Sequence, residues 1–140
     1  MAEKQRYDVF LSYSSGDKPW VSEFASALRE AGVKAWFDVF ELAPGERWQD
    51  KSQEALRDSS TLIIILSPTS VDSPRTFFEL GAAVADKKRI IPVVTEDVDL
   101  MRVASLLRQF QFLRESSPRE AGRRVAEILE QVESKPEQTA

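Results

Sequence analysis

The side chains available for chemistry form a short set, because the 140 residues include no cysteine and no histidine. Their absence excludes thiolate nucleophiles, disulfides, serine–histidine triads and metal sites built from thiolate or imidazole. Chemistry near neutral pH would therefore depend on carboxylates, hydroxyls, Lys, Arg or Tyr. Two places stand out: the polar run Tyr13, Ser14 and Ser15, and the carboxylate of Glu79, which aromatic and aliphatic residues flank.

Glu79 supports two interpretations from the residues alone. Arg75 lies four positions earlier, so on a helix the two side chains would share a face and form an ordinary ion pair. The neighbours Phe77, Phe78 and Leu80 are instead an apolar setting for a charge. Spacing by itself favours the ion pair, and the apolar setting leaves a chemical role open.

The charged clusters elsewhere indicate solvated turns. Glu96, Asp97 and Asp99 lie in one acidic loop without further ligands, which favours a turn over a metal site, and Lys87 to Arg89 form a charged turn. The chain has 19 basic and 23 acidic residues and a net charge of −4. We therefore expect no metal and no nucleic-acid partner.

The length of 140 residues, with 42% of them hydrophobic, indicates one domain of common size with a single core. The longest apolar run, Leu62–Leu66, is far shorter than the ~20 residues of a membrane-spanning helix, and residues 1–6 are too polar for a signal peptide. The scattered glycines form no phosphate-binding loop. We expect a cytoplasmic protein that neither spans nor binds a membrane.

The elements that must position these groups alternate along the chain. Hydrophobic patterning and turn residues predict strands at 7–13, 33–37, 61–66, 90–94 and 110–113, with Pro92 marking a bulge or an unpaired side. They predict helices from Pro19 to Gly32, over 46–58, from Ser73 to about Ala85, over 101–107, and after the capping box Ser117–Glu120. This order predicts an α/β, flavodoxin-like, open five-stranded parallel sheet wrapped by helices.

Such a sheet also predicts where a ligand would bind. Ligands lie outside the carboxyl ends of the strands, at the point where the strand order reverses. The loops expected there are 14–18, 38–45 and 67–75. A phospho-receiver domain on the same scaffold is excluded, because serines follow the first and third strands where that domain needs aspartates.

Three stretches in order resemble a TIR (Toll/interleukin-1 receptor) domain of bacterial type. They are YDVFLSYSSGD (7–17), AWFDVFELAPGERW (35–48) and LSPTSVDSPRTFFELGAA (66–83), with IIPV (90–93) after them. The resemblance covers nearly the whole chain. We therefore expect a TIR domain over 6–132 and a polar tail, or the start of a linker, over 133–140.

The resemblance implies specific site residues. Catalytic TIR domains share a glutamate four residues after a tryptophan, which assigns catalysis to Glu79. The tryptophan position is occupied by Arg75, a departure from the family, and the resemblance implies that Arg75 lies in the substrate-binding site. Substrate contacts are implied for Tyr13, Ser14 and Ser15, although the serines could simply form a turn. Substrate contacts are also implied for Leu42 and Ala43 in the loop 38–45. In this family the same loop takes part in TIR–TIR assembly. The alternative is that the loop is only a connector.

The resemblance implies two kinds of activity. Many members cleave nicotinamide from NAD+, giving ADP-ribose or a cyclic variant, and we expect such an NAD+ glycohydrolase, with cyclase activity also open. NAD+ would be its substrate and not a cofactor. We expect the protein to act in bacterial antiphage defence or as an effector. Its activation is expected to require homotypic TIR–TIR assembly, which other TIR-containing proteins could also join. The alternative is a non-catalytic interaction module, which the Arg75 departure favours.

Overall fold

A parallel five-stranded sheet forms the centre of the molecule. The structure, a computed structural model, describes residues 7–37, 54–68, 81, 83–95 and 110–134. The strands are β1 (Tyr7–Ser12), β2 (Ala35–Trp36), β3 (Ser59–Leu66), β4 (Arg89–Val94) and β5 (Leu113–Arg114), and they pair in the order β2-β1-β3-β4-β5. The main helices are α1 (Lys18–Glu30) and α2 (Pro118–Ser134); residues 54–57 and 83–85 are also helical. The predicted fold class is confirmed.

The uninterrupted apolar run of β3 is explained by burial on both faces of the sheet. Ile63 and Ile65 point to the face covered by α1 and α2, whereas Leu62, Ile64 and Leu66 point to the face covered by the helical residues 54–57 and 83–85. All five side chains are at most 1% exposed. Because β3 also pairs with β1 and β4 along its length, it is the central strand of the fold.

Strand ends differ from the prediction most clearly at the edges of the sheet. β2 is limited to two residues rather than 33–37, and β5 occupies Leu113–Arg114 rather than 110–113. An edge strand has only one neighbour, and β5 pairs with β4 at Val93 and Val94 alone. Phe110 and Phe112 lie outside β5 and pack against the core cluster that contains Leu62, Ile64 and Leu66. Their apolar character therefore reflects packing rather than pairing.

The sheet register also settles the prediction made for Pro92. The pairing of β3 with β4 advances evenly from Thr61↔Arg89 to Leu66↔Val94, so Pro92 causes no bulge. On its other side β4 pairs with β5 only from Val93 onward. Pro92 thus lies just before the pairing with β5 begins, so its β5-facing side is unpaired, as the second of the two alternatives predicts.

The end of α1 follows the expected glycine stop. Gly32 has a φ of +88°, the Gly32 N–H donates to the Arg29 carbonyl at 3.0 Å, and the Val33 N–H donates to the Leu28 carbonyl at 2.9 Å. These two bonds form a Schellman motif, which satisfies carbonyls that a helix end would otherwise leave without donors. The chain then reverses into β2.

The start of α2 keeps half of its predicted capping box. The Glu120 N–H donates to Ser117 Oγ at 3.2 Å, as expected for an N-cap serine. The reciprocal bond is replaced, because the Ser117 N–H donates to Glu115 Oε2 at 3.2 Å. The Glu120 carboxylate instead pairs with Arg123 at 3.0 Å. A preceding acid thus takes over one half of the motif.

The remaining element predictions stay as predictions. The helix over 101–107, the loop over 38–45, and most of the helices over 46–58 and 73–85 lie outside the described residues. Of the tail predicted over 133–140, the first two residues belong to α2, and the rest lies outside the described residues as well. Among the helices of the described ranges, none is both long and apolar enough to cross a membrane.

Candidate functional site

The carboxyl ends of β1 and β3 form the point where the strand order reverses. The chain passes from β1 to β2 on one side and returns to β3 on the other side of β1. Ser12, the last residue of β1, pairs with Ile64, so the residues after both strands meet at one edge. This is the edge at which open α/β sheets bind ligands.

Three side chains at this edge form one hydrogen-bonded group, which we call the Asp17 cluster: Ser14, Asp17 and Ser67. Ser14 Oγ donates to Asp17 Oδ2 at 3.1 Å, and Ser67 Oγ donates to the same oxygen at 2.5 Å. Ser67 is 1% exposed, and the other two side chains are half-buried. The cluster therefore joins the segment after β1 to the segment after β3.

Local geometry turns Asp17 toward this edge. Residues Ser15–Asp17 form a single turn of 3-10 helix, closed by the Asp17 N–H donating to the Ser14 carbonyl at 2.9 Å. Asp17 is then the N-cap residue of α1, and Pro19 lies in the first turn, where its missing N–H costs no hydrogen bond. Within the part of the chain that the structure describes, the Asp17 carboxylate makes no capping bond to α1.

The predicted residues of the first loop occupy different surroundings. Tyr13 is 2% exposed and packs in the core against Phe37, with ring centroids 5.2 Å apart and an angle of 54° between the rings. Ser14 is half-buried and bonded to Asp17, and Ser15 begins the 3-10 turn. All three lie at the predicted edge. Their contact with a substrate stays a prediction.

The other predicted site residues cannot be placed at this edge by the structure. The proposed catalytic carboxylate and its neighbours in the substrate site lie outside the described residues: Glu79, Arg75, Leu42 and Ala43. Each keeps the role that the resemblance implied, as a prediction. The described residue nearest before Glu79 in sequence is Pro68, which directly follows Ser67.

Asp17 and Ser67 are site residues that sequence reasoning missed. The sequence places each of them in a loop expected at this edge, 14–18 or 67–75, but assigns neither side chain a role. Their bond spans 50 positions, and no local pattern reports such a contact. The strand order could have indicated it, because adjacent parallel strands bring the residues after their carboxyl ends together.

The electrostatics elsewhere in the described region are those of a solvated surface. The pKa of Arg119 is raised above its usual value by a hydrogen bond to Glu30 Oε1 at 2.6 Å and by the charge of that carboxylate. Both side chains are exposed, so this pair links α1 and α2 only weakly. Across the described ranges, no three acidic residues come together as metal ligands would.

Two grooves of the described region lie at the other end of the strands, near their amino ends. One, of about 350 Å³, lies between the start of β1, the end of α1 and α2; its lining includes Asp8, Gly32 and Glu127. The other, of about 570 Å³, lies beside the start of β4, where Arg89 and Phe112 line it. Neither contains a member of the Asp17 cluster. These two grooves are therefore separate from the candidate site.

Comparison with known proteins identifies a family for almost the whole chain. The family model described as TIR domain matches residues 9–129. The 2' cyclic ADP-D-ribose synthase BtTIR of Bacteroides thetaiotaomicron is 36% identical over 101 residues, which cover 66% of this chain and 35% of that protein. The NAD(+) hydrolase TcpA of a Theionarchaea archaeon is 33% identical over 92 residues, which cover 62% of this chain and 28% of that protein.

A solved structure supports the fold independently. The crystal structure of the TIR domain of the Toll-related receptor TRR-2 from Hydra magnipapillata superimposes with a TM-score of 0.73 over 91% of this chain and 99% of that one, at 21% identity. That likeness concerns the fold alone. The chain spans only about a third of the length of the two curated relatives, so their activities belong to longer proteins.

Proposed function

The chain belongs to the TIR domain family, and we propose that it cleaves the bond between nicotinamide and ribose in NAD+. The observation that carries this proposal is its 36% identity to a relative named as a cyclic ADP-ribose synthase. The name of a second relative, an NAD+ hydrolase, supports the same substrate. NAD+ is then consumed as a substrate, and the reaction needs no metal from the protein.

Cleavage of the bond between nicotinamide and ribose can be catalysed by a single carboxylate positioned beside the ribose. Nicotinamide departs as a neutral pyridine, so no acid is needed to protonate it. Positive charge of oxocarbenium type develops on the ribose as the bond breaks. We assign the stabilisation of that charge to Glu79, since a fixed negative group acts most strongly where charge develops in the transition state. This accounts for an enzyme without histidine or cysteine.

Two products are compatible with this first step. When water attacks the anomeric carbon, a C–O bond forms, a proton passes to solvent and ADP-ribose is released. When a hydroxyl of the same ADP-ribose attacks that carbon, a C–O bond forms, the hydroxyl proton passes to solvent and the product is cyclic. The name of the Bacteroides relative supports the cyclic product, and we include a cyclase activity in the proposal.

Location and regulation complete the proposal. We place the protein in the bacterial cytoplasm, which the lack of cysteine suits, as part of antiphage defence or as an effector. Homotypic assembly through the loop containing Leu42 and Ala43 would activate it, and other TIR-containing proteins could join the same assembly.

A direct assay tests the enzymatic proposal. The purified chain, at a concentration high enough to assemble, is incubated with NAD+, and chromatography measures nicotinamide together with linear and cyclic products. We expect nicotinamide release that falls about 100-fold or more in Glu79→Ala, since the loss of one transition-state electrostatic contact has that size. The matched control is Glu127→Ala, which removes an exposed carboxylate of α2. Release that survives Glu79→Ala contradicts the role of Glu79.

A second function is favoured by one residue. Arg75 stands where catalytic members have a tryptophan, so the aromatic surface on which nicotinamide would stack is missing from that position. The second candidate is a TIR module that binds other TIR domains and performs no catalysis. Assembly without nicotinamide release, even when a fused oligomerisation domain forces the chains together, would support this module and overturn the hydrolase.

A further inference from the structure

We propose that Asp17 is a positioning residue, which holds the segment after β3, and through it the chain that leads to Glu79, in the arrangement needed for NAD+ cleavage. The inference rests on the proposed function. It concerns residues for which neither the sequence patterns nor the family likeness assigned a role.

The geometry shows one acceptor that serves two segments. Asp17 Oδ2 accepts from Ser14, which follows β1, and from Ser67, which follows β3. Hydrogen bonds to an ionised carboxylate are roughly twice as strong as those between neutral groups. The carboxylate thus restrains the two segments relative to each other at the reversal of strand order.

A purely local role for Asp17 does not account for this arrangement. Aspartate is among the preferred N-cap residues because its oxygen can accept from the first N–H groups of the helix. Asp17 occupies that position before α1, yet within the described residues its carboxylate makes no such bond. Its Oδ2 instead contacts Ser67, a side chain 50 positions away that is 1% exposed.

Ser67 is the point at which the restraint reaches the proposed catalytic segment. It directly follows β3, whose position is fixed by pairing on both sides. The connection that starts at Ser67 leads in sequence to Arg75 and Glu79. Displacement of a catalytic group by about 1 Å can cost about 100-fold in rate, so the direction in which this connection leaves the sheet affects catalysis.

The test compares two buried serines, one at the amino end of β3 and one directly after its carboxyl end. Ser59, at the amino end of β3, is 0% exposed and donates to the Ala55 carbonyl at 2.7 Å. Both Ser67→Ala and Ser59→Ala remove a buried hydroxyl and its bond, and we expect each to lower the melting temperature by about 3–6 °C. Only Ser67→Ala should lower kcat for nicotinamide release, by about tenfold, with KM changed less than about twofold.

Substitutions of Asp17 separate positioning from a direct electrostatic role. Asparagine keeps an oxygen that can accept from both serines but carries no charge. We expect kcat of Asp17→Asn to stay within about threefold of the wild type, and kcat of Asp17→Ala to fall about 100-fold. Adding Ser67→Ala to Asp17→Ala should cause little further loss, because residues that act through one contact are not additive.

Several results would overturn the inference while leaving the proposed function intact. They are equal kcat in Ser67→Ala, Ser59→Ala and wild type; an Asp17→Asn variant that is folded yet as slow as Asp17→Ala; and full additivity of the two alanine substitutions. A wild-type chain that releases no nicotinamide overturns the proposed function itself, and this inference with it. Circular dichroism at the assay temperature confirms that every variant compared is folded.

Discussion

Among single residues, two buried serines in neighbouring strands differ in what their hydroxyls contact. Ser59 in β3 donates to the Ala55 carbonyl, whereas Ser12 in β1 is 0% exposed and its Oγ has no hydrogen-bond partner in the described part of the chain. A buried hydroxyl without a partner costs free energy, because its bonds to water in the unfolded chain are not replaced. The two serines should therefore respond in opposite ways to loss of the hydroxyl.

We expect Ser12→Ala to leave the free energy of unfolding unchanged or to raise it by up to about 1 kcal/mol, because an unsatisfied group is removed. Ser59→Ala should lower the free energy of unfolding by about 1 kcal/mol, because a buried hydrogen bond is lost. Urea unfolding followed by circular dichroism measures both values. A Ser12→Ala variant less stable than Ser59→Ala would contradict this account.

Backbone conformation at Lys87 is a second feature of single-residue scale. Lys87 follows the helical residues 83–85, has a φ of 57°, and its N–H donates to the Val84 carbonyl at 3.0 Å. The Lys88 N–H donates to the Ala83 carbonyl at 2.9 Å. This is the same helix-ending motif that Gly32 forms after α1, but here a residue with a Cβ occupies the left-handed position.

We expect Lys87→Gly to raise the free energy of unfolding by about 1 kcal/mol, because glycine adopts the left-handed conformation without steric strain. Lys87→Ala is the matched control, since it removes the same exposed charge but keeps the Cβ, and it should bring no gain. Thermal unfolding of the three proteins provides the comparison. Equal gains in both variants would assign the effect to charge and contradict the backbone explanation.

Between elements, α2 and α1 approach each other closely at Gly122. A Cβ added at Gly122 would lie 2.6 Å from the Cβ of Ala27 and 3.0 Å from the Phe24 carbonyl oxygen. The two helices are therefore packed backbone to backbone at this point, which only glycine permits. The contact closes one face of the sheet over the core that contains Leu28 and Val125.

We expect Gly122→Ala to lower the free energy of unfolding by about 2 kcal/mol, because the extra methyl group forces the helices apart. In an Ala27→Gly background the same substitution should cost less, since the closest clashing atom is gone while the Phe24 carbonyl remains. Chemical unfolding of the four variants forms a double-mutant cycle. Additive costs would show that the methyl group at residue 27 is not the obstacle.

At the same scale, the sequence predicted elements best where patterns are local. The buried run of β3, the glycine stop of α1 and the serine cap of α2 follow from adjacent residues, and the structure agrees with each. The prediction was less accurate for β2 and β5, because the length of an edge strand depends on how far its one neighbour extends. That information is absent from the strand's own residues.

Over the whole molecule, the strand order brings together groups that lie far apart in sequence. The prediction of a site at the carboxyl ends of the strands needed only the alternation of strands and helices. The same alternation brings together the loops 14–18 and 67–75, which contain Asp17 and Ser67, but it does not predict that these two side chains, 50 positions apart, form a hydrogen bond. Sequence patterns therefore predict the fold, whereas the contacts within the site depend on how the two loops approach each other.

The most direct test of the central claim is the rate of nicotinamide release from NAD+ by the wild type and by Glu79→Gln under assembling conditions. Glutamine keeps the size of the side chain and removes only its charge, so the melting temperature should not change. If Glu79 stabilises the charge that develops on the ribose, the wild type releases nicotinamide, and the rate of release by the variant is lower by a factor of about 100 or more. Equal rates in the two proteins, or no release by the wild type when its assembly is forced, would contradict the account.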